Sequence, residues 1–135
     1  MTDKLNKNGS FENIELSLPV NAAYVSAARF TAQSIAGRIG FDAVEVEDIK
    51  TAVSEACTYI IKKLIVADTA FKITFMLELD YIEIHLSCGA TGEKNDETDY
   101  SMPMVRALMD NVRTELKEGL FELVMTKKHK TTDFV

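Results

Sequence analysis

The chain has 135 residues, of which 47% are apolar, and a formal net charge of −6 at pH 7. That length fits one domain, and that composition can bury a real core, which excludes general disorder. The acidic balance excludes a nucleic-acid-binding surface, which needs clustered Lys and Arg, and no apolar run approaches the length of a membrane span.

The chain divides into a flexible leader at 1–10, a single domain at 11–130 and a tail at 131–135. Phe11, Ile14, Leu16 and Leu18 pattern a half-buried strand that Pro19 closes. Asn21 caps a helix from Ala22 to about Ile39, with Val25, Ala28, Ala32, Ile35, Ala36 and Ile39 as its apolar stripe. Gly40 suits the left-handed residue that ends it. Arg29 falls off this stripe and is expected to be exposed.

The most strongly patterned stretch is 42–64. Val46, Ile49, Val53, Ala56, Cys57, Ile60 and Leu64 recur at three and four residues, which makes one stripe of a helix. Asp42 and Glu45 have the spacing of a capping box. At about 1.5 Å per residue the helix spans roughly 33 Å, and its apolar face must lie on a sheet.

Residues 71–79 and 81–86 read as an antiparallel hairpin turning at Asp80. His85 falls on the solvent side of the second strand. Residues 87–101 read as a polar loop of the length of a lid. A short helix follows at about Met102 to Asp110, with Pro103 tolerated in its first turn. A second hairpin pairs Val112–Leu116 with Phe121–Met125 across a Glu118-Gly119 turn. The basic run Lys127–Lys130 reads as a solvated end. Cys57 and Cys88 have no metal-ligand spacing, no metal site is expected, and the setting is a reduced cytoplasm. The whole is an α+β two-layer sandwich: a mixed, mostly antiparallel sheet covered by three helices.

The stretch Asp48-Ile49-Lys50-Thr51-Ala52-Val53-Ser54-Glu55-Ala56-Cys57-Thr58 resembles the signature helix of bacterial anti-sigma factor serine kinases. These belong to the histidine-kinase-like, gyrase-like and Hsp90-like ATPases. Leu108-Met109-Asp110-Asn111-Val112 and Val124-Met125-Thr126-Lys127 resemble the C-terminal part of that family. The resemblance implies the histidine-kinase-like ATPase fold and an ATP site between the long helix and the lid.

Three pieces make that site in the family. The first is a helical Glu with a Mg²⁺-binding Asn four residues on; Glu55 matches the Glu, but Tyr59 stands at the Asn position. A phenol is a poor ligand for a hard cation, and its ring is expected to intrude on the metal and phosphates. The second is an Asp-x-Gly-x-Gly motif that holds adenine. Its match here is Ser87-Cys88-Gly89-Ala90-Thr91, with Gly92 as second glycine if the register slips by one. The third is a glycine-rich helix start that cradles phosphates. Here it is Asp99-Tyr100-Ser101-Met102, which places a carboxylate where phosphate would lie.

The resemblance therefore implies two readings. One is an anti-sigma-like regulator that acts by protein binding through a degraded nucleotide site, with Glu55 a remnant and no cofactor. The other is an active ATP- and Mg-dependent serine/threonine kinase. Partners implied are a sigma factor or an anti-anti-sigma-like antagonist, with Arg29 in the contact, and a homodimer is possible.

Overall fold

The computed structural model describes residues 12–94 and 99–129. The expected leader at 1–10, the tail at 131–135, Phe11, Lys130 and the middle of the expected lid lie outside the described residues.

Strand β1 (Glu12–Pro19) leads through a 3-10 turn (Ala22–Tyr24) into helix α1 (Val25–Arg38). Asn21 caps the turn: its side-chain oxygen accepts from the Ala23 N–H at 2.8 Å. Gly40 ends this region with φ +96°, a conformation that favours glycine. Helix α2 (Ala43–Lys63) then starts from a complete capping box. The Glu45 N–H donates to Asp42 Oδ1 at 2.8 Å, and the Asp42 N–H donates to Glu45 Oε1 at 2.9 Å. Two of the backbone donors that a helix start leaves unpaired are thereby satisfied.

The remaining elements are β2 (Leu64–Val66), β3 (Ala70–Leu77), β4 (Tyr81–Glu93), α3 (Ser101–Leu108), β5 (Asn111–Lys117) and β6 (Leu120–Lys128). The sheet runs β1-β3-β4-β6-β5, with β2 paired to β4 off that path, and every pair is antiparallel. Register sets one face. Ile14, Phe75, Ile84, Met125 and Val112 lie in one row across it, and Leu16, Ile73, Leu86, Leu123 and Thr114 in the next. The apolar members of these rows, with the inward stripes of α1 and α2, form one core in which Ile49, Val53, Ile60, Phe75 and Leu86 are fully buried. The opposite face carries Glu15, Thr74, His85, Val124 and Arg113 in one row.

Two elements differ from expectation. Residues 87–93 are not loop but the second half of β4, and Leu64–Val66 is a strand instead of a helix end. The cause is tertiary. Cys88 and Ala90 are small enough to pack inward, and the backbone finds partners first on β6 and then on β2, where Leu64 lies opposite Glu93 and Ile65 opposite Gly92. Pairing of this kind overrides the low strand propensity of a glycine-containing segment. Among the described residues, no helix is long and apolar enough to cross a membrane.

Candidate functional site

The C-terminal half of α2, the far end of β4 and the start of α3 meet at one place. Glu55 is half-buried on α2 and makes no hydrogen bond or ion pair among the described residues. One turn on, Tyr59 is only 7% exposed. Its ring packs against Phe121 with centroids 5.7 Å apart, and its hydroxyl donates to Glu93. Tyr59 therefore does not stand free in a cleft as a bare intruding ring. It is built into the layer between helix and sheet. Burial, then the Glu93 carboxylate, then Asp99, push the phenol well above its ordinary pKa of 10.0, so it stays a neutral donor.

The same corner is tied by backbone. The Lys94 N–H donates to the Lys63 carbonyl at 2.6 Å, joining the end of β4 to the end of α2. The first part of the expected lid is thus pinned as a strand against the long helix.

The stretch Ser87–Thr91 lies flat in β4. Strand alternation puts buried Cys88 on the helix side and half-buried Ser87 on the opposite face, so Ser87 is not turned toward α2. Thr91 is exposed. Gly89 has a specific neighbour: its N–H donates to Asp68 Oδ2 at 2.8 Å. A Cβ on Gly89 would lie 2.7 Å from that oxygen, so the missing side chain makes room for Asp68. Burial first, then Asp68, raise the Cys88 thiol from the ordinary 9.0 to about 11.

At the start of α3, Asp99 Oδ1 accepts from the Ser101 N–H at 3.3 Å. Asp99 thus occupies the end of the helix that favours an anion. Ser101 is 5% exposed. Tyr59, Glu93, Asp99 and Ser101 therefore surround one corner, which holds two carboxylates, with the Lys63 ammonium beside them 3.5 Å from the Lys94 carbonyl. Among the described residues, no group of His, Cys, Asp and Glu is arranged to hold a metal ion.

The relatives settle the family. A Bacillus cereus (strain Q1) protein named Serine-protein kinase RsbW is 31% identical over 137 residues, covering 87% of this chain and 85% of that protein. A protein of the same name from Bacillus thuringiensis subsp. konkukian (strain 97-27) gives the same figures. The Bacillus mycoides (strain KBAB4) protein is 30% identical over the same coverage. The chain belongs to the RsbW family of anti-sigma factor serine kinases.

No protein-family model matches the chain. Among solved structures, the crystal structure of the RsbU and RsbW domains of a Mycobacterium tuberculosis protein superposes with a TM-score of 0.71 at 16% identity. It covers 92% of this chain and 34% of the other. That likeness carries the fold, which agrees with the histidine-kinase-like ATPase fold expected of an RsbW-family chain.

Within this RsbW-type fold, two surface expectations change. Arg29 is half-buried rather than exposed: its Nη1 donates to Ser54 Oγ at 3.4 Å and its guanidinium sits 5.4 Å from the Phe30 ring centre. It thereby links α1 to α2 one residue before Glu55. Phe30 itself is 59% exposed. The basic run after the last strand is not simply solvated. Lys127 Nζ donates to the Leu108 carbonyl at 2.7 Å and lies 3.7 Å from Asp48 Oδ2, while the His129 ring meets Phe41 edge-on. His85 lies on the open face as expected, its Nε2 2.6 Å from Glu83.

Sequence reasoning missed Asp68 and Glu93 as members of the site. Glu93 carried a weak signal as an acid in the expected lid. Asp68 carried none, because its contact with Gly89 exists only once β4 is a strand.

Proposed function

We propose that this chain is an anti-sigma-type regulator that works in the cytoplasm by binding protein partners and has lost phosphoryl transfer. The partners are a sigma factor or an anti-anti-sigma-like antagonist, docking on the α1 side that carries Arg29 and Phe30. The observation that carries the reading is Tyr59: at the position where the family places its Mg²⁺-binding Asn, the structure has a buried phenol committed to Glu93. The surrounding residues fit Mg-ATP poorly. Asp99 already accepts from the start of α3, and a phosphate about 4 Å from it would be repelled by roughly 1–4 kcal/mol, depending on the effective dielectric. Ser87 is turned away from the helix layer, and Gly89 is filled by Asp68. No chemical step is assigned to Glu55. Protein binding needs only an intact surface, which these changes leave in place.

The test is binding of the purified chain to the sigma factor of its own cell, with and without Mg-ATP, by surface plasmon resonance. Equal affinity in both conditions is expected. Binding that appears only with Mg-ATP would overturn the proposal.

A second reading, an active ATP-dependent serine/threonine kinase, is favoured by Glu55. That carboxylate is half-buried and uncommitted among the described residues, as a polarising base would be. It requires labelled phosphate to pass from ATP to a co-purifying partner and Glu55→Ala to abolish the transfer.

A further inference from the structure

We propose that Ser54 on α2 is a positioning residue of the docking face: its hydroxyl holds the Arg29 guanidinium beside Phe30 in the orientation that a protein partner meets. This role rests on the functional reading above, in which the α1 side is the docking side. An arginine on a helix surface has many rotamers and loses much freedom when it is fixed. Arg29 is held at two points. Its Nη1 donates to Ser54 Oγ at 3.4 Å, across the seam between the two helices, and its guanidinium carbon lies 5.4 Å from the Phe30 ring centre. The first contact is a long but charge-assisted hydrogen bond, and the second is a cation–π contact.

The hydroxyls of these two helices set Ser54 apart. Thr31 Oγ1 donates to the Ala27 carbonyl at 2.8 Å, and Thr58 Oγ1 to the Ser54 carbonyl at 3.0 Å, so both turn back along their own helix. Ser54 Oγ instead accepts from the neighbouring helix. Arg29 is half-buried, yet it makes no ion pair among the described residues. A guanidinium carries five donors in a flat fork. One is committed to Ser54, and Glu55, the next residue on α2, takes none of the others. Phe30 beside it is 59% exposed. A cation and a ring are thus fixed side by side with hydrogen-bonding capacity left over. Ordering such a side chain before the partner arrives removes that cost from binding, so a residue that need not touch the partner sets affinity. One immobilised side chain is worth about two- to tenfold in Kd.

The test is surface plasmon resonance of the full chain against the sigma factor of its own cell, for wild type, Arg29→Ala, Ser54→Ala and the double variant. Far-UV circular dichroism checks each fold; alanine is a better helix former than serine, so Ser54→Ala keeps α2. Arg29→Ala is expected to weaken binding at least about tenfold, as loss of an arginine anchor does. Ser54→Ala should weaken it about two- to tenfold, and should cost nothing further once Arg29 is gone, because the serine acts only through it. Nitrogen-15 relaxation of the Arg29 Nε–H reads the same role without a partner: ordered in wild type, mobile in Ser54→Ala. An Arg29 side chain whose order is the same in both proteins overturns the proposal. So does wild-type affinity in Ser54→Ala, or a loss that persists at full size in the Arg29→Ala background. These results sink the role of Ser54 alone. A wild type that binds no sigma factor, or an Arg29→Ala variant that binds as wild type does, sinks the functional reading and this role with it.

Discussion

Replacing Gly89 with Ala tests whether this glycine serves the fold or a ligand. The added Cβ would stand 2.7 Å from Asp68 Oδ2 and 2.9 Å from Cγ, well inside contact distance. Asp68 must then swing away, which also breaks the 2.8 Å hydrogen bond from the Gly89 N–H. Losing that bond costs about 0.5–1.5 kcal/mol, and overpacking of this kind about 1–3 kcal/mol. Asp68 is exposed, so relaxation is easy and a total of about 1–3 kcal/mol is expected. Urea unfolding of wild type, Gly89→Ala, Asp68→Ala and the double variant measures it. Asp68→Ala removes the obstacle, so the double should be scarcely less stable than Asp68→Ala alone, giving a coupling of about 1–2 kcal/mol between the positions. If Gly89→Ala is neutral, or the two effects simply add, the assignment of Gly89 to Asp68 is wrong.

Other substitutions probe the long helix and its corner. Asp42→Ala removes half of the capping box and should cost about 0.5–2 kcal/mol by the same assay; an unchanged midpoint would contradict the cap. Tyr59→Ala should cost about 3–5 kcal/mol, since the ring is core, whereas Tyr59→Phe should cost only about 0.5–1.5 kcal/mol because Glu93 can return to water. Equal losses would mean that the ring does not pack against Phe121. Burial pushes the Cys57 thiol up to about 12, and Cys88 stands at about 11, both above the ordinary 9.0. The folded chain therefore holds these protons more tightly than the unfolded one. Their contribution to stability is complete below about pH 9 and is lost as pH rises through 11 and 12. Thiol reagents at pH 8 should label neither cysteine until urea unfolds the chain, and prompt native labelling would refute the burial.

Where the signal was local, the fold was legible. Asp42 and Glu45 announced the start of α2, Gly40 the end of α1, and Glu118-Gly119 the tight turn of the last hairpin, because each is set by neighbours in sequence. The second half of β4 was not legible, since glycines and small polar residues write a loop unless β6 and β2 supply partners. The candidate site divides the same way. Glu55 and Tyr59 were located by their four-residue spacing on one helix. The destination of the Tyr59 hydroxyl was hidden, because Glu93 lies 34 residues further along the chain. Arg29 was misplaced for a related reason: helical phase puts its Cα off the buried stripe, but its long side chain bends back to Ser54. Lys127, on the covered face beside Asp48, likewise looked like the start of a solvated tail.

The most direct trial of the account is calorimetric titration of the purified chain with Mg-ATP and with Mg-ADP. A corner closed by Tyr59 and Glu93 and fronted by Asp99 predicts no binding heat even at millimolar nucleotide. Saturable binding in the micromolar range would contradict it.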